Sequence, residues 1–144
     1  MAQVEKSVLI GYSAERMFKL VEQVEDYPKF LPWCGASQVL SRNASGMQAS
    51  ITIQFKAVHQ TFTTENIHQY PERIEMKLVE GPFRSLSGCW QFTPLAENAC
   101  KIHFLLDYEF SSRILEQVVG PVFSMIAQGL VDSFVQRAEA VYGA

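Results

Sequence analysis

The sequence lacks the basic character that most DNA-binding proteins show. It contains no run of lysine or arginine, its formal net charge is −3 and its pI is about 5.6. Proteins that bind DNA usually neutralise phosphates with a basic face. The composition therefore argues against a DNA partner and leaves only a local basic patch open.

Long hydrophobic runs and targeting signals are missing as well. The apolar stretch at residues 8–10 is far shorter than the hydrophobic region of a secretory signal. The charge-free stretch at residues 117–131 is shorter than the ~20 residues that span a bilayer, and it contains Gly120 and Pro121. We therefore expect a soluble, cytoplasmic protein.

Cysteine is scarce and is not arranged as a redox or metal motif. Cys34, Cys89 and Cys100 form no C-x-x-C pair and leave an odd count. Cys89 and Cys100 fall on neighbouring predicted strands, where Cys89 should lie opposite residues beyond Cys100, so a disulfide is not expected. Buried free thiols in a reducing compartment fit this pattern.

Sequence patterns of metal sites and nucleophilic catalysis are also absent. The three histidines share no metal-ligand spacing, and His103 falls on the polar face of a predicted strand. Ser85 lies in no nucleophile elbow, and Pro82 removes a backbone donor that a phosphate loop would need. The inward positions are almost all apolar, which disfavours acid–base catalysis. We predict a protein that is not an enzyme and requires no cofactor.

Aromatic residues, by contrast, are abundant: they make up 12% of the 144 residues and include 10 phenylalanines. Between residues 36 and 110, apolar and polar residues alternate, and turn-forming sequences separate the runs. In the clearest run, Ile102, Phe104 and Tyr108 share one face. The pattern predicts about six antiparallel strands with one apolar face, preceded by an N-terminal strand.

Helices are predicted on both sides of this strand region. Ser13 can cap a short helix that should end before Pro28, with a second brief turn at residues 29–31. After Phe110 the apolar spacing predicts a helix of about 30 residues, kinked or broken at Pro121 and ending near Gly143. Its apolar stripe comprises Leu115, Val118, Val119, Val122, Phe123, Ile126, Leu130, Phe134, Ala138 and Val141.

This order of elements predicts one α+β domain covering residues 1–144. A single sheet must bury its apolar face, and the long helix has the only large matching stripe. A sheet curved around one helix often leaves a gap that holds a ligand.

Three stretches resemble a known superfamily: residues 24–34 (VEDYPKFLPWC), residues 81–92 with GPFR and GCWQF, and residues 107–139 with GPVF and FVQRAE. On these residues the whole chain resembles the START-like, helix-grip (Bet v 1-like) superfamily, in its coenzyme-Q-binding and polyketide cyclase/dehydrase branch. The resemblance implies a curved antiparallel sheet wrapped around a long C-terminal helix. It also implies binding of ubiquinone in support of respiration or, alternatively, a ribosome-association toxin that blocks joining of ribosomal subunits. Aromatase/cyclase relatives add an enzymatic alternative.

Among these alternatives, the residues fit non-catalytic binding of ubiquinone or a similar prenylated lipid best. Quinone rings favour flat apolar walls with one or two donors, and prenyl tails favour a dry channel. The side chains predicted to contact this ligand are Tyr27, Phe30, Leu31, Trp33, Phe55, Phe83, Trp90, Phe104, Phe123, Ile126 and Leu130. Ordinary core packing is the alternative role for each of them.

Two further roles are predicted around this cavity. The proline-flanked segment with Phe30, Leu31 and Trp33 could form a rim or lid and touch the inner membrane transiently, since Trp is favoured at membrane interfaces. Tyr27, Trp90 and Arg84 are candidate donors to the quinone carbonyl groups, although a surface ion pair is the simpler role for Arg84. A ribosomal subunit is the alternative partner, but the basic residues are scattered among acidic ones.

Overall fold

Seven antiparallel strands and one long helix dominate the computed structural model, which describes residues 2–143. The strands are β1 (Ala2–Ile10), β2 (Cys34–Asn43), β3 (Gly46–Phe55), β4 (Val58–Gln69), β5 (Arg73–Glu80), β6 (Phe83–Ala96) and β7 (Ala99–Phe110). The helices are α1 (Ala14–Glu22), α2 (Tyr27–Phe30) and α3 (Arg113–Tyr142), with a 3₁₀ turn at Val24–Asp26. The strand order β1-β7-β6-β5-β4-β3-β2 makes β1 and β2 the edges of one sheet. The predicted α+β helix-grip fold is confirmed.

The alternation along β6 and β7 separates an apolar inner face from a polar outer face. Trp90 pairs with Phe104 and Phe92 pairs with Ile102, and all four side chains are buried. On the outer face, His103 Nε2 lies 2.7 Å from Glu5 Oε2 on β1. The predicted polar orientation of His103 is therefore confirmed, and the buried rings face α3.

Helix α3 runs without interruption through Pro121, so the predicted break is wrong. Ser112 caps its N-terminus, where the hydroxyl oxygen accepts a bond from Leu115 N at 3.1 Å. Pro121 and Gln117 are both exposed, so water can reach the carbonyl group that Pro121 leaves without an amide donor. The buried face comprises Val119, Phe123, Ile126, Ala127, Val131, Phe134 and Ala138. Val118 and Val141 are exposed, so the predicted apolar stripe was too wide.

By length and composition alone, α3 could also cross a membrane. The central helix of a globular fold passes the same test, and the inner face of α3 is buried against the sheet. The hydropathy of this helix is therefore weak evidence for a membrane span.

The first helix starts as predicted but ends earlier. Ser13 caps α1, where its hydroxyl oxygen accepts a bond from Arg16 N at 3.2 Å. Helix α1 ends at Glu22 rather than just before Pro28. Pro28 instead lies in the first turn of α2, where its fixed φ and missing N–H are tolerated.

All three cysteines are free thiols, as predicted. Cys89 on β6 pairs with Leu105 on β7, five residues beyond Cys100 along the strand. Burial raises the pKa of Cys34 and of Cys100 to about 11 each. Both thiols are therefore protonated and weakly nucleophilic at neutral pH.

Gly129→Ala should stabilise the protein by about 0.5–1 kcal/mol, because glycine weakens a helix interior. Gly129 lies within α3, and an added Cβ would meet nothing within 4 Å. Urea denaturation measures the change. Gly46→Ala is the control with the opposite expected effect. Its Cβ would lie 2.0 Å from the Asn66 backbone oxygen, so this substitution should destabilise the fold. An unchanged or lower midpoint for Gly129→Ala would contradict the prediction.

Candidate functional site

A cavity of about 80 Å³ lies between the inner face of the sheet, α3 and the segment that joins α1 to β2. Its walls are almost entirely apolar. The lining residues are Val24, Tyr27, Trp33, Ala49, Ile51, Ile53, Phe62, Thr64, Asn66, Met76, Leu86, Trp90, Phe104, Leu106, Phe123, Ile126, Ala127 and Leu130. Small side chains at Ala49 and Ala127 face the space from β3 and from α3.

The structure brings seven of the predicted ligand-binding residues together in this lining. They are Tyr27, Trp33, Trp90, Phe104, Phe123, Ile126 and Leu130. The ring centroids of Trp90 and Phe104 lie 4.5 Å apart on the sheet side, and Phe123 projects from α3. Two edge-on contacts, to Tyr108 at 4.7 Å and to Phe83 at 4.9 Å, hold the Phe123 ring. These rings are thus core residues and cavity walls at once.

The other four predicted residues lie outside the cavity lining. Phe83 packs against Phe110 at 4.9 Å. Phe55 is half-buried at the end of β3, and Leu31 is buried in the core. Phe30 packs against Phe134 at 5.3 Å with the Arg137 guanidinium 5.0 Å from its ring. Phe55 and Phe83 were predicted as cavity residues because alternation places them on the inner face of the sheet. Alternation does not show where along a strand the cavity lies.

The segment from Val24 to Trp33, here called the lid segment, forms a closed wall rather than an exposed rim. Ser37 Oγ donates to the Val24 carbonyl at 2.8 Å, and Gln54 N donates to the Trp33 carbonyl at 2.8 Å. Trp33 is 9% exposed and Leu31 is 1% exposed. These side chains are therefore turned inward, away from any membrane surface.

Two of the predicted donors are already committed elsewhere. The Tyr27 hydroxyl donates to the Val21 carbonyl, and burial raises the Tyr27 pKa well above its usual range. Arg84 is exposed on the outer face, with its Nη1 atom 3.7 Å from Glu109 Oε2. The Tyr27 hydroxyl proton is thus already donated and Arg84 lies outside the cavity lining, whereas Trp90 does line the cavity.

The polar groups of the cavity lie instead on β4, at positions that were not among the predicted ligand-binding residues. Thr64 and Asn66 are 5% and 6% exposed, and both line the cavity. Thr64 Oγ1 donates to Asn66 Oδ1 at 2.8 Å. Phe62, Thr64 and Asn66 follow one another at i, i+2 spacing on the face of β4 that the structure turns inward.

His68 continues the same row toward α1. Its ring lies edge-on to Phe18 with centroids 5.6 Å apart, and Nε2 is buried without a hydrogen-bond partner among the described residues. Burial lowers the His68 pKa below its usual 6.5. The negative charge of Glu22 opposes this shift in part, and the positive charge of Arg42 adds to it. The neutral imidazole is thus the form that this packing favours.

The free energy of unfolding should therefore fall as the pH drops below about 6.5, by at most about 1.4 kcal/mol per pH unit from this residue. His68 binds a proton more readily in the unfolded chain, so its contribution is complete above pH 6.5 and declines below it. Urea denaturation from pH 7.5 to 5 measures this slope. His68→Gln should reduce it, and His59→Gln, at an exposed site, should not. Equal slopes in wild type and His68→Gln would contradict the assignment.

The lining favours recognition of an apolar molecule over acid–base chemistry. Of the described residues that form it, none is acidic, basic or a histidine. Four of them, Ile51, Phe62, Met76 and Leu130, are only half-buried. We call these four residues the mouth, because they are the lining residues that solvent reaches in part. Across residues 2–143, no group of three His, Cys, Asp or Glu side chains is placed to hold a metal ion.

Comparison with known proteins gives one family and several relatives. The sequence profile of the family described as polyketide cyclase / dehydrase and lipid transport matches residues 10–135. The ribosome association toxin RatA of Vibrio cholerae is 44% identical over 143 residues, covering 99% of each chain. The mitochondrial coenzyme Q-binding protein COQ10 of Drosophila melanogaster is 28% identical over 92% of this chain and 56% of its own length. The Zhui aromatase/cyclase of Streptomyces sp. R1128 superposes with a TM-score of 0.84 over 96% of this chain and 93% of that one; at 14% identity it shows the fold alone.

Proposed function

Because the chain belongs to the polyketide cyclase / dehydrase and lipid transport family, we propose that it binds a hydrophobic small molecule in the internal cavity and catalyses no reaction on it. The observation that carries this proposal is an enclosed, ring-lined space between the sheet, α3 and the lid segment. Few side chains there could move a proton, which favours a binding protein over a cyclase. No bound metal or cofactor enters this proposal.

A prenylated quinone such as ubiquinone is the ligand class that suits these walls. Trp90, Phe104 and Phe123 present flat surfaces to a quinone ring, and Asn66 presents an amide. The mouth is apolar, so a prenyl tail can leave through it. The COQ10 relative, named for coenzyme Q binding, supports the same class.

The closed cavity must widen to hold such a ligand. About 80 Å³ is well below the ~300–1,000 Å³ of pockets that enclose drug-sized molecules. The half-buried side chains of the mouth are the ones with room to move, and Met76 is the most adaptable of them. We therefore expect the mouth to open on binding while the rings of Trp90, Phe104 and Phe123 stay in place.

Organic extraction of the purified protein followed by mass spectrometry tests this function. Protein from a quinone-producing host should release a prenylated quinone in an amount comparable to the protein, and heat-denatured protein mixed with the same lysate should not. Absence of quinone and other lipid, even after supplementation with ubiquinone, would contradict the proposal.

Association with a ribosomal subunit is a second candidate function. It is supported by 44% identity, along nearly the whole chain, to a protein named ribosome association toxin. If this function holds, excess protein should reduce the joined ribosome peak and raise the subunit peaks in sucrose gradients. Unchanged subunit joining at excess protein would remove this candidate. Either function is compatible with a cytoplasmic protein, at the inner membrane or at the ribosome.

A further inference from the structure

We propose that the Asn66 side-chain amide selects the ligand of this cavity by donating a hydrogen bond to a neutral carbonyl oxygen. The inference rests on the proposed function and specifies which chemical group the cavity recognises. It starts from the position of Asn66, which is 6% exposed in a lining that is otherwise almost entirely apolar. A ligand that covers this amide without accepting a hydrogen bond from it leaves a donor unpaired, which disfavours binding.

The hydrogen bond from Thr64 leaves one end of the Asn66 amide unused. Thr64 Oγ1 donates to Asn66 Oδ1 at 2.8 Å, and this contact holds the oxygen end of the amide next to Thr64. Among the side-chain hydrogen bonds of residues 2–143, Asn66 takes part only in this one, as the acceptor. An amide nitrogen carries two donors, so Asn66 Nδ2 can donate to an acceptor on a ligand.

The neighbours of Asn66 provide space and no strong acceptor side chain. Met47 on β3 and Met76 on β5 are its cross-strand partners, and a thioether sulfur accepts hydrogen bonds only weakly. Gly88 on β6 follows Met76 in the same row. A Cβ at Gly88 would lie 2.7 Å from Met76 Cε, so glycine is what leaves room for this methionine beside Asn66.

The charge of the lining decides between a carbonyl and a carboxylate. Both groups accept hydrogen bonds, but a buried carboxylate also needs a cation or several donors. Among the described residues that form the lining there is no lysine, arginine or histidine. A neutral carbonyl on a ring therefore fits Asn66 better than the head group of a fatty acid.

Isothermal titration calorimetry with three decyl compounds tests this selection. Decylubiquinone carries neutral carbonyls, decanoate carries a carboxylate, and decylbenzene carries no strong acceptor. Wild type should bind decylubiquinone more tightly than the other two. Asn66→Leu should weaken decylubiquinone binding about tenfold and leave decylbenzene binding unchanged or stronger.

Thr64→Val provides a second variant that keeps Asn66 but frees its amide. It should weaken decylubiquinone binding in the same direction, and retained decylbenzene binding shows that both variants are folded. If wild type and Asn66→Leu bind decylubiquinone equally well, the proposed role of Asn66 is overturned but the proposed function is not. Wild-type preference for decanoate would overturn the neutral-carbonyl assignment, whereas failure of wild type to bind any of the three would overturn the proposed function and this inference with it.

Discussion

Phe134→Ala should destabilise the protein by about 3–5 kcal/mol, the usual cost of emptying a buried phenylalanine site. Phe134 is fully buried on α3, and its ring lies 5.4 Å from Tyr27, 5.3 Å from Phe30 and 5.3 Å from Trp90. It therefore joins the long helix to the lid segment and to the sheet. Because native domains are stable by only about 5–15 kcal/mol, this single change removes a large part of the total.

Urea denaturation monitored by circular dichroism measures this loss. Val141→Ala is the matched control, because Val141 is 46% exposed on the same helix and should change stability by less than about 0.5 kcal/mol. A loss below about 1 kcal/mol for Phe134→Ala would contradict the role given to this ring.

Ala127→Leu should reduce binding of decylubiquinone at least about tenfold. Ala127 is 1% exposed and faces the cavity from α3, so an isobutyl group there fills part of the roughly 80 Å³ available. Overpacking should cost about 1–3 kcal/mol of stability, less than Phe134→Ala. The expected result is a folded protein whose cavity is closed, measured by calorimetric titration together with urea denaturation.

Ala140→Leu is the control for this variant. It makes the same chemical change on the same helix at an exposed position, so binding should stay as in wild type. If Ala127→Leu folds and binds decylubiquinone as tightly as wild type, the ligand does not occupy this cavity.

Periodicity was enough to predict the fold and the inner face of the sheet. The strict alternation around Trp90 and Phe104 identifies buried rings because side chains of a strand point to opposite faces. Position along the strand is a different property, which depends on where α3 crosses the sheet. Phe55 and Phe83 therefore share the inner face and still lie outside the cavity.

The polar end of the cavity could not be read from the sequence in the same way. Strand β4 reads VHQTFTTENIHQ, in which polar residues occupy both faces, so its pattern does not separate inside from outside. Thr64 and Asn66 are recognised only once the register opposite β3 and β5 is known. At Pro121 the sequence did give a clear local signal, a preference against helix, and the structure does not follow it. Tertiary packing of α3 overrides that local preference.

The lid segment shows why exposure was overestimated for Trp33 and Leu31. A proline-flanked connection is normally a surface loop. Here hydrogen bonds from Ser37 Oγ on β2 and from Gln54 N on β3 hold the segment against the sheet, and the side chains turn inward as cavity wall and core. Its role is therefore to close the cavity, and access for a ligand is expected at the mouth.

Tryptophan fluorescence during titration with decylubiquinone measures whether a quinone enters the cavity. The chain has two tryptophans, Trp33 and Trp90, and both line the cavity. A quinone that enters must approach both indole rings and quench them. If the quinone occupies the cavity, quenching should be saturable, should be lost in Ala127→Leu and should be kept in Ala140→Leu. Quenching that only rises linearly, as for free N-acetyltryptophanamide at the same quinone concentrations, would contradict this prediction.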